Sequence, residues 1–392
     1  MIPLEEGALN RTIMGKIIVL GAGMVGKAIA IDLSGKHAVT AADIDQESLT
    51  YLSSKHPIET VGVNLMEEDL ISELVRDFDL VVSAVPGFMG FDTLKTVISA
   101  GKNIVDISFM PEDYMGLNAL AAQKGVTAIT DCGVAPGMPN LIVGHYNEVM
   151  EISHFEYVVG GLPKVKIYPF NYKAPFSPVD VVEEYTRPAR YLEKGKPMTR
   201  PAMSEPEFVF FDKVGTLEAF YTDGLRSLLG NMSHIPNMKE KTLRYPGHIQ
   251  LIQALMTAGF FEKEPIMIHN TPVRPIDFTS SILIRDWKLG PDEPEFTVMR
   301  ISITGEQDGK EKSIVYELYD EYDQKQKLSS MARTTGFTAT ANAELIIQNK
   351  FSGKGVFPLE LVGMDSECFH FVMDYLASRN IVYKKTEKIT TS

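Results

Sequence analysis

The sequence has little cysteine, a shortage of positive charge and no long apolar run. Only Cys132 and Cys368 occur among 392 residues, too few for a disulfide framework. Acidic side chains outnumber basic ones by 51 to 38, a formal net charge of −13. This balance disfavours binding to nucleic acid or to anionic membranes, which both present negative phosphates. No apolar run approaches the roughly 20 residues of a membrane span. Together these absences are typical of a protein of the reducing cytoplasm.

The length of the chain favours more than one domain. An apolar fraction of 44% and a charged fraction of 23% are ordinary for a globular protein, and 392 residues are long for a single core. Residues 1–14 lack the basic start and apolar stretch of a signal peptide. We set them aside as an N-terminal extension, with Met14 as an alternative start.

Short apolar runs alternate with helical patterns over residues 15–140. The runs are KIIVL (16–20), AVTAAD (38–43), ETVGV (59–63), LVVSAV (80–85), NIVDI (103–107) and VTAIT (126–130). Helix-like segments between them include VGKAIAIDL (25–33), EEDLISELV (67–75) and DTLKTVISA (92–100). Each crossover helix must pack back over the sheet. The pattern therefore predicts an α/β fold with a parallel, doubly wound Rossmann sheet.

The first run leads into a glycine-rich turn, Gly21-Ala-Gly23-Met24-Val25-Gly26. The G-x-G-x-x-G pattern is weak alone, but here it follows a strand and opens a helix. Gly21 permits the tight turn, Gly23 lets the backbone approach a pyrophosphate, and Gly26 lets the helix close on the strand. The turn predicts a dinucleotide site that includes Met24 and Val25. The alternative is a Rossmann turn that has lost its nucleotide.

Further cofactor residues are predicted where the other strands end. Asp43 is placed to hold the ribose hydroxyls, and the Ile-Asp-Gln-Glu that follows offers no arginine for a 2′-phosphate, which favours NAD over NADP. Asn64 is predicted to reach the adenine. The remaining predicted cofactor residues, at the carboxyl edge of the sheet, are Ala84, Val85, Pro86 and Ser108. Each of these loops is alternatively a simple connection.

A crossing segment, DCGVAPGMPN (131–140), follows the sixth run. Asp131 stands at the end of that strand, where the nicotinamide is expected. Its carboxylate is either a functional group there or a cap for the turn or for the helix predicted at LIVGHYNEV (141–149). His145 lies inside that helical pattern and is interpreted as a packed or surface residue.

From about residue 151 the patterns indicate a second α/β domain on a largely antiparallel sheet. Its predicted strands are HFEYVVGGL (154–162), FVFFD (208–212), LEAFYT (217–222), SILIRDW (281–287), FTVMRISIT (296–304) and SIVYELYDEY (313–322). Asp308-Gly309 is a strong hairpin signal between the last two. We assign residues 141–334 to this domain. Residues 335–392 are predicted to return as helices onto the Rossmann domain.

An unusual basic cluster, KTLRYPGH (241–248), lies in this second domain. Lys241, Arg244 and His248 are expected to surround the start of an amphipathic helix, HIQLIQALM (248–256), where free N–H groups favour an anion. Arg244 can grip a carboxylate with two parallel hydrogen bonds. The cluster is therefore either a clamp for a small carboxylate substrate or a solvated basic turn.

Six segments carry a resemblance to a known family. They are the GAGMVG turn, DCGVAPGMPNL (131–141), VGGLP (159–163), VEEYTRPA (182–189), LEAFYTDG (217–224) and KTLRYPGH (241–248). The chain resembles the saccharopine dehydrogenase-like superfamily, and within it is most similar to the L-lysine 6-dehydrogenases. The resemblance implies a Rossmann domain interrupted by an α/β substrate domain that also forms a homodimer. It further implies NAD-dependent oxidation at a carbon that bears an amine.

On this resemblance, the expected reaction is oxidation of the 6-amino group of L-lysine to the 6-semialdehyde, which cyclises to 1-piperideine-6-carboxylate. Arg244, helped by Tyr245 and His248, would hold the α-carboxylate, and the proton would move through Asp131, Lys173 or His145. Lys173 lies in YPFNYKAPF (168–176), either a substrate lid or a packed loop. No metal site is expected. The alternatives are a saccharopine dehydrogenase and a non-catalytic NAD-binding regulator.

Overall fold

Two large β-sheets organise the part of the chain that the structure describes. The computed structural model describes residues 15–176, 178–290 and 292–390, so the N-terminal extension lies outside the described residues. In those three ranges, none of the helices is both long and apolar enough to cross a membrane.

The elements are as follows. Within the described residues, the strands in chain order are β1 Lys16–Leu20, β2 Ala38–Asp43, β3 Ile58–Gly62, β4 Leu80–Ser83, β5 Asn103–Asp106, β6 Thr127–Thr130, β7 Glu151–Pro163, β8 Ala189–Glu193, β9 Lys196–Arg200, β10 Glu207–Phe211, β11 Gly215–Tyr221, β12 Asn237–Arg244, β13 Ile266–Ile268, β14 Thr271–Val273, β15 Glu295–Gln307, β16 Lys310–Glu321, β17 Gly355–Pro358 and β18 Tyr383–Thr390. The helices are α1 Met24–Leu33, α2 Gln46–Lys55, α3 Glu68–Leu74, α4 Gly87–Ser99, α5 Asn118–Lys124, α6 Met138–Asn147, α7 Pro178–Thr186, α8 Leu228–Asn231, α9 His248–Thr257, α10 Pro275–Trp287, α11 Ser330–Ile347, α12 Leu359–Gly363 and α13 Ser366–Ala377.

The first sheet is parallel, with strand order β17-β6-β5-β4-β1-β2-β3. Helices cover both of its faces, which explains why β1 reads as a continuous apolar run, fully buried from Ile17 to Leu20. The predicted doubly wound Rossmann sheet is confirmed. The seventh strand, β17, comes from the C-terminal part of the chain and was not predicted.

The second sheet follows the order β10-β11-β12-β7-β15-β16-β18, with β8 and β9 attached beside β12. Its strands are antiparallel along this path except for the parallel pair β12 and β7. The predicted largely antiparallel sheet is confirmed. At the β15–β16 turn, Asp308 and Gly309 have φ angles of 54° and 73°, as a tight two-residue hairpin requires.

One predicted strand is wrong: residues 281–287 belong to helix α10. The helix begins at Pro275, which suits a first helical position because proline has no N–H to bond. Its buried side chains include Ile276, Leu283 and Trp287, spaced as one face of a helix. A short run such as SILIRDW fits both the period of a β-strand and that of an α-helix when it is considered without the residues before it.

The C-terminal part of the chain joins both sheets. Helix α11 packs against α1, and β17 extends the Rossmann sheet beside β6. Strand β18, however, pairs with β16 in the second sheet. The predicted helical return of residues 335–392 onto the Rossmann domain did not include these two strands, and β18 lies on the second sheet instead. The start of α11 contributes to a cleft between the sheets.

Candidate active site

A cleft of about 880 Å³ opens at the carboxyl edge of the parallel sheet and extends to the second sheet. All of the residues predicted to bind the cofactor lie along its first half: Gly21, Gly23, Met24, Val25, Gly26, Asp43, Asn64, Ala84, Val85, Pro86 and Ser108. The second half is lined by side chains from α7, β12, α10 and α11. The two predicted sites, for a dinucleotide and for a carboxylate, thus share one cavity.

The glycine turn has the geometry that a dinucleotide needs. Gly21 has a φ of 99°, and a Cβ there would lie 2.6 Å from the carbonyl oxygen of Ala84. A Cβ on Gly26 would clash with the carbonyl oxygen of Gly21. At Gly23 a Cβ would meet none of the described atoms within 4 Å. Packing therefore requires the first and last glycines, while Gly23 leaves open space at the start of α1 for a pyrophosphate.

Asp43 is fixed at the end of β2 by two backbone amides. The N–H of Ala22 donates to Oδ2 at 2.5 Å, and the N–H of Asp45 donates to Oδ1 at 2.9 Å. These bonds tie the carboxylate to the glycine turn and hold it on the cleft. Next to it, Ile44 lines the cleft and is 71% exposed, so an apolar surface lies beside the carboxylate.

Ser108 is held by a buried carboxyl group that the sequence analysis missed. Its hydroxyl and its N–H donate to the two oxygens of Asp106, at 2.9 and 3.0 Å. Asp106 is fully buried at the end of β5, and this burial raises its pKa to about 7. An acidic residue inside the apolar run NIVDI was the signal that could have identified it.

Asp131 is engaged away from the described lining of the cleft. It is 2% exposed, and its Oδ2 accepts hydrogen bonds from the Tyr114 hydroxyl at 2.5 Å and from Arg226 Nε at 2.8 Å. Helix α6 begins after Gly137, whose N–H donates to the Asn140 side chain, so the alternative of Asp131 as the cap of this helix is wrong. The bond to Arg226 ties the end of β6 to the loop after β11. This geometry does not favour Asp131 as a base.

Arg244 reaches the cleft from the last position of β12. Side chains alternate along a strand, so Thr242 and Arg244 face the cleft while Lys241 lies on the other face and pairs with Glu207. The expected cluster of three cations is therefore wrong for Lys241. Arg244 is 2% exposed and donates to Glu184 Oε2 at 3.1 Å.

His248 supports Arg244 indirectly. Arg244 Nε donates to the Tyr185 hydroxyl at 2.8 Å, and that oxygen lies 2.8 Å from His248 Nε2. His248 Nδ1 lies 2.9 Å from the carbonyl oxygen of Phe170. A consistent network has Tyr185 donating to Nε2 and Nδ1–H donating to Phe170. Burial, followed by the positive charge of Arg244, lowers the pKa of His248 to about 3. His248 is thus neutral and orients Tyr185.

Two other predicted residues also lie outside the described lining of the cleft. The Tyr245 hydroxyl donates to the carbonyl oxygen of Pro163 at 2.9 Å. Lys173 Nζ donates to the carbonyl oxygen of Asp286 at 2.5 Å, so it ties the 168–176 segment to α10. His145 stacks on Phe369 with ring centroids 3.9 Å apart, which agrees with its interpretation as a packed residue.

The sequence analysis missed several side chains at the inner end of the cleft. They are Asp180, Glu184, Thr242, Lys288 and Thr335. Glu184 lay within the segment VEEYTRPA, but nothing in the sequence connects it with Arg244, sixty residues away. Among the described residues, no group of three or more His, Cys, Asp or Glu side chains is arranged to hold a metal ion.

Comparison with known families gives two consecutive matches. Residues 17–129 match the saccharopine dehydrogenase NADP binding domain, and residues 133–382 match the saccharopine dehydrogenase C-terminal domain. The first match and the open glycine turn together support a nicotinamide dinucleotide as the cofactor.

Individual relatives are distant. The mitochondrial alpha-aminoadipic semialdehyde synthase of Rattus norvegicus is 25% identical over 276 residues, which cover 65% of this chain but only 29% of the rat protein. The carboxynorspermidine synthase of Vibrio alginolyticus is 21% identical over 394 residues, covering 89% of this chain and 92% of that protein. The apo structure of the L-Glu-forming saccharopine dehydrogenase of Saccharomyces cerevisiae shares the fold, with a TM-score of 0.77 at 18% identity, covering 96% of this chain and 100% of that one.

Proposed function

The chain belongs to the saccharopine dehydrogenase family, and we propose that it is an oxidoreductase that oxidises the 6-amino group of L-lysine with NAD. The products would be NADH, ammonia and the 6-semialdehyde, which cyclises to 1-piperideine-6-carboxylate. One observation carries the proposal: a buried guanidinium, Arg244, lies at the far end of a cleft whose near end is the glycine turn.

Arg244 is prepared to bind a carboxylate. Among the described residues, its bonds to Tyr185, Glu184 and the carbonyl oxygen of Leu243 use three of its five N–H groups. One N–H therefore remains on each terminal nitrogen, so that a carboxylate can accept hydrogen bonds from both. The Tyr172 ring, 4.4 Å from the guanidinium carbon, supports the side chain by a cation–π contact.

The charges along the cleft favour a substrate with one carboxylate. In its described lining the cationic side chains are Arg244 and Lys288, and Lys288 is exposed. Asp180 lies in the same lining, and Glu184 already balances part of the charge of Arg244, which leaves little positive charge for further carboxylates. L-Lysine carries one carboxylate and saccharopine three, so this lining supports lysine. The saccharopine dehydrogenase reaction remains the alternative within the same chemistry.

The residues of the first half of the cleft support NAD. A bound dinucleotide would supply the hydride acceptor. Asp43 would hydrogen-bond a free ribose hydroxyl and repel a 2′-phosphate, and residues 44–47 bring no positive charge near it. The matched family domain is named for NADP, so the preference for NAD is part of the proposal.

A homodimer formed through the second domain belongs to the same proposal. On that domain, large apolar side chains are exposed on the β13–β14 hairpin and on α10, among them Met267 at 66% and Phe278 at 58%. An exposed apolar patch of this kind is typical of a protein–protein contact.

A second candidate is the synthesis of a carboxylated polyamine, the product named for the Vibrio relative. The alignment with that protein covers 89% of this chain. Asp180 and Glu184 line the cleft together with Arg244, a set of charges that suits a ligand with both ammonium and carboxylate groups.

One assay separates these functions. The purified chain is given NAD or NADP with L-lysine, saccharopine or carboxynorspermidine, from about pH 7 to pH 10.5, and the reduced nicotinamide is followed by absorbance. We expect turnover of lysine with NAD and little or none of saccharopine. Faster turnover of saccharopine or of carboxynorspermidine identifies the corresponding alternative. Dinucleotide binding without any turnover indicates the non-catalytic regulator.

A further inference from the structure

A buried hydrogen-bonded chain leads from the wall of the cleft to a carboxyl group. Thr242 lines the cleft, and its Oγ1 is 2.8 Å from Oγ1 of Thr222. Thr222 Oγ1 is in turn 2.8 and 2.7 Å from the two carboxyl oxygens of Glu240. Glu240 is 4% exposed. Thr242 and Glu240, two residues apart on β12, are thus joined through Thr222 into a continuous path out of the cleft.

The hydrogen bonds along this path can be donated in either direction. An ionised carboxylate only accepts hydrogen bonds, so with Glu240 ionised Thr222 donates to Glu240 and Thr242 donates to Thr222. This leaves a lone pair of Thr242 for a donor in the cleft. With Glu240 protonated, all the donors reverse and the Thr242 proton is directed to the cleft. Both protonation states of Glu240 thus keep the chain fully bonded.

Building on the proposed function, we infer that Thr242 and Thr222 pass the proton of the substrate amine to Glu240. In this step an N–H bond of the ammonium breaks and an O–H bond forms on Thr242. The Thr242 proton moves to Thr222, and the Thr222 proton moves to Glu240. The nitrogen keeps the electron pair of the broken bond. That pair would assist loss of hydride from the adjacent carbon, for which a bound dinucleotide would be the acceptor, and Glu240 would hold the proton that the oxidation releases.

The surroundings of Glu240 suit a proton acceptor for an amine. Its pKa is raised to about 8, chiefly by burial and also by the acidic neighbours Glu184, from α7, and Asp223, after β11, against the lowering effect of the hydrogen bonds from Thr222 and Gly224. The Gly224 N–H donates to Oε2 at 3.0 Å, and the Tyr157 hydroxyl of β7 lies beside it, bonded to the carbonyl oxygen of Gly224. Each of these acidic neighbours has its own ion-pair partner, Arg244 for Glu184 and Arg190 for Asp223.

The raised pKa of Glu240 matters because a carboxyl group with an ordinary pKa would be too weak a base to accept a proton from an ammonium group. A carboxyl group near its usual pKa of about 4.3 is a poor acceptor for an ammonium near 10.4, since the gap is about six units. At about 8 the gap is only a little over two units. The competing explanation is that Glu240 simply braces the loop from Thr222 to Gly224.

The pH profile of kcat/KM for L-lysine separates the two explanations. In the wild type, the acid limb should lie near pH 8, so that kcat/KM at pH 7 is about a tenth of its own maximum. Glu240→Gln must use amine deprotonated in solution. The acid limb of the Glu240→Gln profile should therefore move toward pH 10.4. At pH 7, kcat/KM of this variant should be roughly one part in 2,500 of its own maximum. Thr222→Val should show the same shift, and Thr222→Ser should restore the wild-type profile.

Glu295→Gln is the matched control. Glu295 is fully buried and burial raises its pKa to about 8, but it accepts the N–H of Ser330 at the start of α11 instead of a hydroxyl of the cleft. Its variant should keep the limb near pH 8. Dinucleotide binding checks that each variant is folded.

The outcomes separate the relay from the proposed function. A bracing role alone would lower kcat/KM of Glu240→Gln and Thr222→Val by the same factor at every pH, and this result would overturn the relay. If Glu240→Gln does not fold, the Thr222 pair decides the question. A folded wild type without lysine turnover would instead overturn the proposed function, and the relay with it.

Discussion

Arg244 and Glu184 form an ion pair at the inner end of the cleft, with 3.1 Å between Nη2 and Oε2 and side-chain exposures of 3% and 19%. Burial raises the pKa of Glu184, and the charge of Arg244 opposes that shift. Removing one partner of such a pair leaves an uncompensated charge away from water. The pair therefore holds the guanidinium in one position, and any test of Arg244 must separate ligand binding from the loss of this pairing.

Replacement of Arg244 by Met should mainly weaken substrate binding. It removes both N–H groups available to a carboxylate, so kcat/KM for L-lysine should fall roughly 30- to 700-fold. This fall corresponds to a loss of about 2–4 kcal/mol of transition-state stabilisation. Dinucleotide affinity should not change, because Arg244 lies at the other end of the cleft. Steady-state kinetics and a dinucleotide binding titration measure the two quantities.

Two controls accompany this variant. The double variant Arg244→Met/Glu184→Gln removes the carboxylate that Arg244→Met leaves unpaired. The second control is a substrate, 1,5-diaminopentane, which resembles lysine without its carboxylate. For this substrate, Arg244→Met should lower kcat/KM far less than it does for lysine. Equal losses for both substrates, or a loss of dinucleotide binding, would show that Arg244 does not bind a carboxylate.

Asp43 should select the dinucleotide. Repulsion of a 2′-phosphate and hydrogen bonds to a free ribose should favour NAD by about 1.4 kcal/mol or more, roughly tenfold in Kd. Asp43→Ala should reduce the ratio of the two Kd values, chiefly by weakening the binding of NAD. Binding titrations of both dinucleotides to the wild type and to the variant measure it. Equal affinities in the wild type would refute the role of Asp43.

Asp131 should matter for stability more than for proton transfer. Asp131→Asn leaves Arg226 buried without its charged partner, which should lower the free energy of unfolding by about 3–5 kcal/mol. The double variant with Arg226→Met should recover part of that loss. Urea unfolding measures the effect. If Asp131 is instead the base, the folded single variant will lose the acid limb of its pH profile while its stability stays near that of the wild type.

His248 should make the protein less stable in mild acid. Its pKa is about 3 in the folded state and about 6.5 when unfolded. Its contribution to stability is therefore complete above pH 6.5 and is lost as the pH falls toward 3. Between pH 6.5 and 5 the loss should be about 2 kcal/mol. His248→Asn stays neutral, so urea unfolding at these two pH values should show a smaller difference in the variant. An unchanged difference would contradict a neutral, buried His248.

The half of the cleft that we propose for the dinucleotide could be located from the sequence. Gly21, Gly23 and Gly26 are constrained by a turn of a few residues, and parallel strands with crossover helices bring their carboxyl ends to one edge. Asp43 and Ser108 therefore meet the glycine turn wherever this order of strands occurs. A local pattern and one topological rule are enough for that half.

The substrate half depended on contacts between residues distant in sequence. Lys241 and Arg244 are neighbours in the sequence, but the alternation of β12 puts them on opposite faces, and burial leaves His248 neutral. The pairing of Glu184 with Arg244 and the path from Thr242 through Thr222 to Glu240 arise only when α7, β11 and β12 pack together. A short-range sequence pattern cannot predict such contacts. The burial of a polar side chain and the groups around it in the folded protein decide its charge and its role.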